Sequence, residues 1–336
     1  MNTIGKRLTL TTAGESHGPA LVGILDGFPS QVRIDMEAVQ HELDRRHPVA
    51  PGVTARREPD RLQVLSGIFE GVTTGAPIAL LINNVDARPG DYDALRDVFR
   101  PGHADYTYVA KYGVRDHRGG GRASARETAL RVAAGAFALQ ALEQRGIYIS
   151  AYTSCIGSIN HTVDHQVDMT DIYSRPMRSA DADTDAAMAQ LVSSIAADGD
   201  SIGGIVSCRI SGLCTGVGEP VYDKFQAMLA LAMMSINAAK GFDYGTGFEG
   251  VDRPGSEIAA VTGGICGGIT DGGDITFRVA FKPVATMMRP LECRRADGST
   301  VTITPGGRHD ACIVPRAVAV VRAMAALTTL DALLLK

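Results

Sequence analysis

Tryptophan is absent from this chain of 336 residues, and aromatic side chains make up only 5% of it. Without interleaved aromatics there is no stacking platform for unpaired bases. Excess positive charge is missing too. The 33 Lys and Arg face 37 Asp and Glu, a net charge of −4, which argues against a dedicated nucleic-acid or membrane-surface protein. Six cysteines (Cys155, Cys208, Cys214, Cys266, Cys293 and Cys312) form no Cys-x-x-Cys pair and read as reduced thiols of a cytoplasmic protein. No apolar run is expected to reach the ~20 residues of a membrane span. Residues 1–7 lead straight into a strand-like segment, so no signal peptide is expected. Nor is there a low-complexity linker or a break in composition, and residues 1–336 read as one domain.

What the chain has in quantity is glycine, 38 in all, which implies close backbone packing and many tight turns. Residues 7–12 and 21–25 read as strands around a Gly-Glu-Ser-His-Gly loop. Asp35 begins a helix that Pro48 stops. Residues 62–69 and 78–82 read as adjacent antiparallel strands. Asp223 is expected to cap a Met- and Ala-rich helix that runs to Gly241 and is buried in the core. Strands are expected over 147–159, 202–213, 274–282 and 301–304, with helices over 184–197 and 315–335. Antiparallel strands with a few long buried helices make an α+β fold, with helices layered between antiparallel β-sheets.

Charge concentrates in one place. Residues 100–131 hold seven basic side chains (Arg100, Lys111, Arg115, Arg118, Arg122, Arg126 and Arg131) against Asp105, Asp116 and Glu127. That is a local net charge of +4, so the remainder of the chain carries −8. A basic island in an acidic protein suits a discrete anion. Gly119, Gly120 and Gly121 let the backbone approach a ligand closely. Ser124 and Glu127 then have capping-box spacing ahead of an alanine-rich helix that Gly146 can close. A glycine-rich, Arg-flanked loop feeding a helix N-terminus is a site for phosphate or carboxylate. Arg45, Arg46 and His47 at the end of the first helix either complement its dipole or bind an anion.

Three loops place a histidine beside small or charged residues: His17, His103 and His309. Together they suggest proton transfer near an anionic ligand. Other motifs fail in context. Gly245-Thr-Gly-Phe-Glu-Gly250 fits a dinucleotide pattern but follows a helix and runs into Asp252-Arg-Pro254. His161 and His165 have zinc-like spacing without a glutamate base, and no metal site is expected. Gly14-Glu-Ser-His-Gly18 matches a nucleophile elbow, but Pro19 and the apolar run after it indicate a strand where a helix is needed.

The motifs GESHG (14–18), FRPGHADYTYVAKYGVRDHRGGGRASARET (99–128), GEPVYDK (218–224), MSINAAKGF (234–242), GGICGGI (263–269), FKP (281–283) and GRHD (307–310), in this order, resemble chorismate synthase over nearly the whole chain. The resemblance implies anti-1,4-elimination of phosphate and a ring hydrogen from 5-enolpyruvylshikimate 3-phosphate, giving chorismate in the shikimate pathway of aromatic amino acid biosynthesis. It also implies reduced FMN without net redox change, and a homotetramer. By resemblance Arg46, Arg100, Arg131 and Arg316, with His17, hold the substrate. FMN rests on Arg122, Ala123, Ser124, Asn237, Ala238, Gly267, Lys282, Pro283, Val284, Ala285, Thr286 and Arg308. His103 is the acid toward the flavin, and His17 lies near the departing phosphate. Ser16, Ser124 and Asp310 help a flavin nitrogen take up the ring proton. A phosphate and two carboxylates on the substrate match the arginine-rich character of the island.

The chain departs from the family pattern in two loops. Residues 49–53 are short and lack an arginine of a G-x-x-R pattern, for which Arg56 or Arg57 could substitute in contacting substrate or NADP. Residues 256–262 replace a longer, Asn-containing loop. Two sources of reduced flavin stay open, NADPH acting in place or an external flavin reductase, and the absence of an added domain leans toward the second.

Overall fold

Two antiparallel sheets enclose the long helices, and the chain builds one before the other. The computed structural model describes residues 1–50, 52, 59–85, 89–161, 169–304 and 310–336. Strands β1 (Thr3–Ile4), β2 (Thr9–Ala13) and β3 (Ala20–Asp26) come first. Along β3, Leu21, Gly23 and Leu25 are buried while Val22, Ile24 and Asp26 face outward, the period of two that a strand on a core requires. Helix α1 (Met36–Asp44) starts where the Asp35 carboxylate accepts from the Glu37 and Ala38 amides. Strands β4 (Leu62–Val64) and β5 (Ile78–Asn83) complete the first sheet in the order β1-β2-β3-β5-β4. The continuous strand expected over 62–69 is broken. Gly67 at φ 83° turns the chain, and Ile68–Phe69 pairs instead with Val72–Thr73.

Strand β6 (Val98–Phe99) leads into α2 (Asp105–Tyr112), which Gly113 ends at φ 75°. Next comes α3 (Thr128–Glu143), the alanine-rich helix, closed by Gly146 at φ 74°. Its start differs from the expected capping box. Ser124 Oγ accepts from the Arg126 amide, but residues Ala125–Glu127 form a 3-10 turn and the Glu127 carboxylate pairs with Arg131. The reciprocal half of the box is therefore not made, because the arginine one helical turn on is a stronger partner for a carboxylate than an amide.

Strands β7 (Tyr148–Ile156) and β8 (Ile159–Asn160) open the second sheet. Between 160 and 185 the loop expected from the sequence contains a short helix, α4 (Met169–Ser174). Helix α5 (Ala182–Ala197) is capped by Asp181. Strand β9 (Gly204–Ser211), helix α6 (Phe225–Met234), and strands β10 (Ala239–Tyr244) and β11 (Ile275–Phe281) follow, giving the sheet order β8-β7-β9-β11-β10. Strands β12 (Leu291–Arg295) and β13 (Thr300–Ile303) form a small sheet with β6. Helix α7 (Val314–Leu335) ends the chain.

Helix α6 is shorter than expected. It stops at Met234, Ala238 takes φ 66°, and the following residues pair with β11 as an edge strand. Pairing along a sheet edge overrides the helix propensity of Ala and Lys. Asp223 does not cap α6 but pairs with Lys6, and Leu231 and Met234 are exposed on its outer face. Helix α7 corrects another expectation, since it is long and apolar enough to cross a membrane. In this fold 83% of its most apolar stretch is buried. It lies against β7 and β9 of the second sheet, while α3 packs beneath β3 and β5 of the first. The two helices meet so closely that a Cβ on Gly135 would sit 2.4 Å from Ala323 Cβ. The layer order is sheet, α3, α7, sheet. The ends of these layers, with the loops joining them, form the site.

Candidate active site

The glycine loop is the pivot. A Cβ on Gly119 would come within 2.6 Å of His17 Cδ2 and 2.9 Å of Ser16 Oγ, so only glycine lets the loop lie on that pair. Gly119 has φ 81°, which also favours glycine, and its carbonyl accepts from Arg100 Nη2 at 3.3 Å. On its other side lies a cavity of about 670 Å³, lined by His103, Asp105, Arg115, Arg118, Arg122 and Ala123 among others. Arg122 spends its guanidinium on neutral oxygens, Thr12 Oγ1 at 2.7 Å and the carbonyls of Thr12 and Gly14 at 3.1 and 3.3 Å. It also reaches Asn2 Oδ1 at 3.3 Å. Its charge is thus retained at the cavity wall.

Asn237 stands behind this wall, donating from Nδ2 to the carbonyl of the lining residue Ala123 at 2.8 Å. Its Oδ1 is buried and has no partner among the described residues. Lys282, at the end of β11, takes the Ala238 carbonyl with its amide at 3.0 Å and the Gly102 carbonyl with Nζ at 2.8 Å. Burial and the nearby Lys240 lower the Lys282 pKa from the ordinary lysine value. Ala285 faces Gly102, the Val284 carbonyl accepts from Ser201, Pro283 packs on Gly203, and Thr286 is buried. The start of the 282–286 segment therefore stands against Gly102, the residue before His103.

His103 itself is held by Asp105. Its Nδ1 is 2.9 Å from Asp105 Oδ1 and 3.2 Å from Arg100 Nη2. Burial would raise the Asp105 pKa, but hydrogen bonds from His103 and Arg100, and their charge, hold the carboxyl well below the usual range.

A second cluster forms on the far side of Ser124. Asp60, with a fully buried side chain, pairs with Arg46 and Arg126 and lies 2.9 Å from His47 Nε2. Arg46 also reaches Thr128 Oγ1 at 3.3 Å and the Ala125 carbonyl at 3.4 Å. Arg316, near the start of α7, donates to Asp310 Oδ2 at 2.8 Å and to the Arg46 carbonyl at 3.0 Å. Arg46, Arg316, Asp310 and Ser124 are thus brought together with His47, for which the sequence left a dipole and an anion role open, and with two residues that the sequence reading gave no site role, Arg126 and Asp60. Arg126 was visible in the basic island, but nothing local marked it above its neighbours. Asp60 carried no signal at all.

Not every candidate joins these clusters. Arg131 donates to Glu127 and, at 2.7 Å, to Ser235 Oγ, and with Ile4, Met228 and Leu327 it lines a second cavity of about 430 Å³ that shares Asn2 and Arg122 with the first. Gly267 lies in the hairpin of Ile265–Cys266 with Ile269–Thr270, and its neighbour Gly268 accepts from the first residue of α6. Asn237 follows the other end of that helix, roughly 15 Å away at 1.5 Å per residue. Arg308, His309, His165, Arg56 and Arg57 lie outside the described residues. Ser16 Oγ is buried with no partner among the described residues, and the loop joins strand to strand, so the nucleophile-elbow reading fails.

The sequence profile of chorismate synthase matches residues 8–334. The chorismate synthase of Phocaeicola vulgatus is 48% identical, covering 98% of this chain and 97% of that protein. That of Bacteroides fragilis is 49% identical, covering 99% and 98%. A crystal structure of chorismate synthase superposes with a TM-score of 0.78 at 30% identity, over 98% of this chain and 93% of that one. With the motifs of the basic island and the helices held between two antiparallel sheets, these likenesses show that the chain belongs to the chorismate synthase family, lyases of the shikimate pathway.

Proposed function

We propose that this lyase takes 5-enolpyruvylshikimate 3-phosphate as substrate and reduced FMN as cofactor, in the cavity beside the glycine loop. The observation that carries this is that, among the described residues, Arg122 on the cavity wall and Lys282 on the Gly102 carbonyl next to His103 both bond neutral oxygens, which leaves two positive charges for an anionic ligand. The cavity, about 670 Å³, falls within the ~300–1,000 Å³ usual for small-molecule sites. The orphaned Asn237 Oδ1 and Ser16 Oγ are polar atoms whose burial calls for a ligand partner. These residues fit a flavin. Arg122, Ala123, Ser124, Asn237, Ala238 and Lys282 to Thr286 would hold it, with Arg308 and Gly267 assigned by the family pattern alone. When bound, reduced FMN supplies the electron density that the departing phosphate draws on, with no net redox change.

The protein's own part is positioning and proton control. Arg46, Arg100 and Arg316 hold the substrate's oxyanions in fixed directions, because each is already braced by a carboxylate. Arg131 is assigned to the substrate by the family pattern. His17, pressed against Gly119 and tilted on the Tyr92 ring, meets the charge that collects on the leaving phosphate. His103, on the cavity wall, is the acid toward the flavin. Ser124 accepts the Arg126 amide at Oγ and keeps its hydroxyl hydrogen to donate, so the cap and a proton role coexist. Ser16 and Asp310 complete the proton-handling set.

We assign the chain to the cytoplasm and to a homotetramer. Exposed Val22 and Ile24 on the first sheet, and Leu231 and Met234 on α6, support association. NADPH or an external flavin reductase supplies reducing equivalents. Anaerobic mixing with photoreduced FMN and the substrate, followed by chorismate absorbance, tests the reading. His103→Ala should lower single-turnover rates by about 10²–10⁴-fold with FMN affinity changed far less. Turnover within about threefold of wild type would remove His103 from the chemistry.

A further inference from the structure

We propose that His47 is a positioning residue that ties Arg46 and Arg316 together, its ring bridging the carboxylate that holds one arginine to the guanidinium of the other. The inference rests on the reading above that these two arginines hold the substrate. His47 follows α1, with its amide on the Asp44 carbonyl at 2.9 Å and its side chain 24% exposed. The sequence left its role open between the helix dipole and an anion. In the fold the ring meets two protein groups instead. Nε2 is 2.9 Å from Asp60 Oδ2, and Nδ1 is 3.5 Å from Arg316 Nη1.

The two contacts agree on one form of the ring. Burial would raise the Asp60 pKa, but the His47 hydrogen bond and the charges of Arg46 and Arg126 hold the carboxyl well below the usual range. Asp60 is therefore ionised and only accepts, so Nε2 carries the hydrogen between them. A guanidinium only donates, so the longer contact at Nδ1 requires a bare nitrogen. Together they select the neutral ring with its hydrogen on Nε2. The opposite tautomer would set a lone pair against the buried Asp60 anion and a hydrogen against Arg316.

The bridge joins two elements of the site. Asp60 Oδ2 also takes Arg46 Nη1, while Oδ1 takes Arg126 Nη1. Arg316 Nη1, besides facing His47, donates to the Arg46 carbonyl at 3.0 Å. Its other edge lies on Asp310, Nε to Oδ2 at 2.8 Å and Nη2 to Oδ1 at 3.4 Å. A carboxylate on one edge leaves the plane of a guanidinium able to swing, and a contact on the opposite edge stops it. The end of α1 and the start of α7 thus present their guanidiniums at a fixed separation. Both ring nitrogens of His47 are engaged, so it acts on a ligand only through the arginines.

The first test needs no activity. Nitrogen-15 NMR of histidine-labelled apo protein, read at the alkaline plateau of the titration, should show His47 with Nε2 protonated and Nδ1 bare. The signal is assigned by its loss in His47→Gln. A ring protonated at Nδ1 overturns the proposal whether or not any variant folds. The second test is calorimetric binding of 5-enolpyruvylshikimate 3-phosphate to protein carrying oxidised FMN, which supports no turnover. In folded His47→Leu the dissociation constant should rise about 10-fold, the effect of one lost hydrogen bond. His47→Gln, whose amide can donate to Asp60 and accept from Arg316, should stay within about threefold of wild type. In an Arg316→Lys background, His47→Leu should weaken binding by less than about twofold more, because the guanidinium it steadies has gone. Unchanged affinity in His47→Leu, or an equal loss in both backgrounds, would overturn the proposal. Failure of the wild-type protein to take up the substrate would instead sink the functional reading, with the tautomer still deciding the bridge.

Discussion

Asp60 and Arg126 stand 66 residues apart in the chain and form an ion pair whose side chains are 0% and 3% exposed. Arg46 and His47, from the end of α1, converge on the same carboxylate. One buried anion thus fixes the arginine proposed to hold substrate and joins α1 to the entrance of α3.

Asp60→Asn should expose the worth of that arrangement. Removing the charge leaves two buried guanidiniums facing a neutral amide, and breaking a buried pair in this way costs about 3–5 kcal/mol. Urea denaturation of the apo protein measures it. A loss below about 1 kcal/mol would mean that the other partners of Arg46 and Arg126 suffice to hold them.

Gly135→Ala offers a prediction of sign. In an ordinary helix interior, alanine is more favourable than glycine by roughly 0.5–1 kcal/mol. Here the added methyl would lie 2.4 Å from Ala323 Cβ, 2.6 Å from its Cα and 2.8 Å from its carbonyl oxygen. Backbone cannot step aside as a flexible side chain does, so α3 and α7 must separate, at about 1–3 kcal/mol or more. The variant should melt below wild type. A raised midpoint would show that the two helices can separate at no cost.

Much of this architecture was legible because its signals are local. The glycine triplet with Arg122, the Asp35 cap and the apolar runs of α3 and α7 each announce themselves within a few residues. The choice between Arg126 and Arg131 was different in kind. The chain spends Ala125–Glu127 in a 3-10 turn before α3 begins, so Arg126 is turned toward Asp60 and Asn84 while Arg131 reaches Ser235. A periodic reading that starts the helix at Ser124 cannot assign those directions. Asp60 was invisible because its partners come from the end of α1 and from the turn before α3, and spacing does not encode such a meeting. The end of α6 was misjudged for a related reason, since only pairing with β11 turns residues of helical character into a strand.

Asp60 and Asp105 together set the response to acid. Burial would raise both, but hydrogen bonds and charge from His47, Arg46 and Arg126 on the first, and from His103 and Arg100 on the second, hold them well below the usual carboxylate range. In the unfolded chain each takes up a proton near pH ~3.9, whereas in the fold each still resists. Below that pH the unfolded state binds more protons than the folded one, so stability falls as pH falls. Their contribution is fully present above the unfolded value and is lost progressively toward the depressed folded ones. Asp185 runs the other way. Burial, only partly offset by the Ser179 and Met177 amides, raises its pKa, so protonating it as pH drops returns some stability. The thermal midpoint of apo protein should therefore change little from about pH 7 to 5 and drop below about pH 4. In Asp60→Asn the acid drop should be shallower, because one of the two responding carboxylates is gone. Melting curves at constant ionic strength decide it, and parallel slopes in the two proteins would remove Asp60 from the acid response.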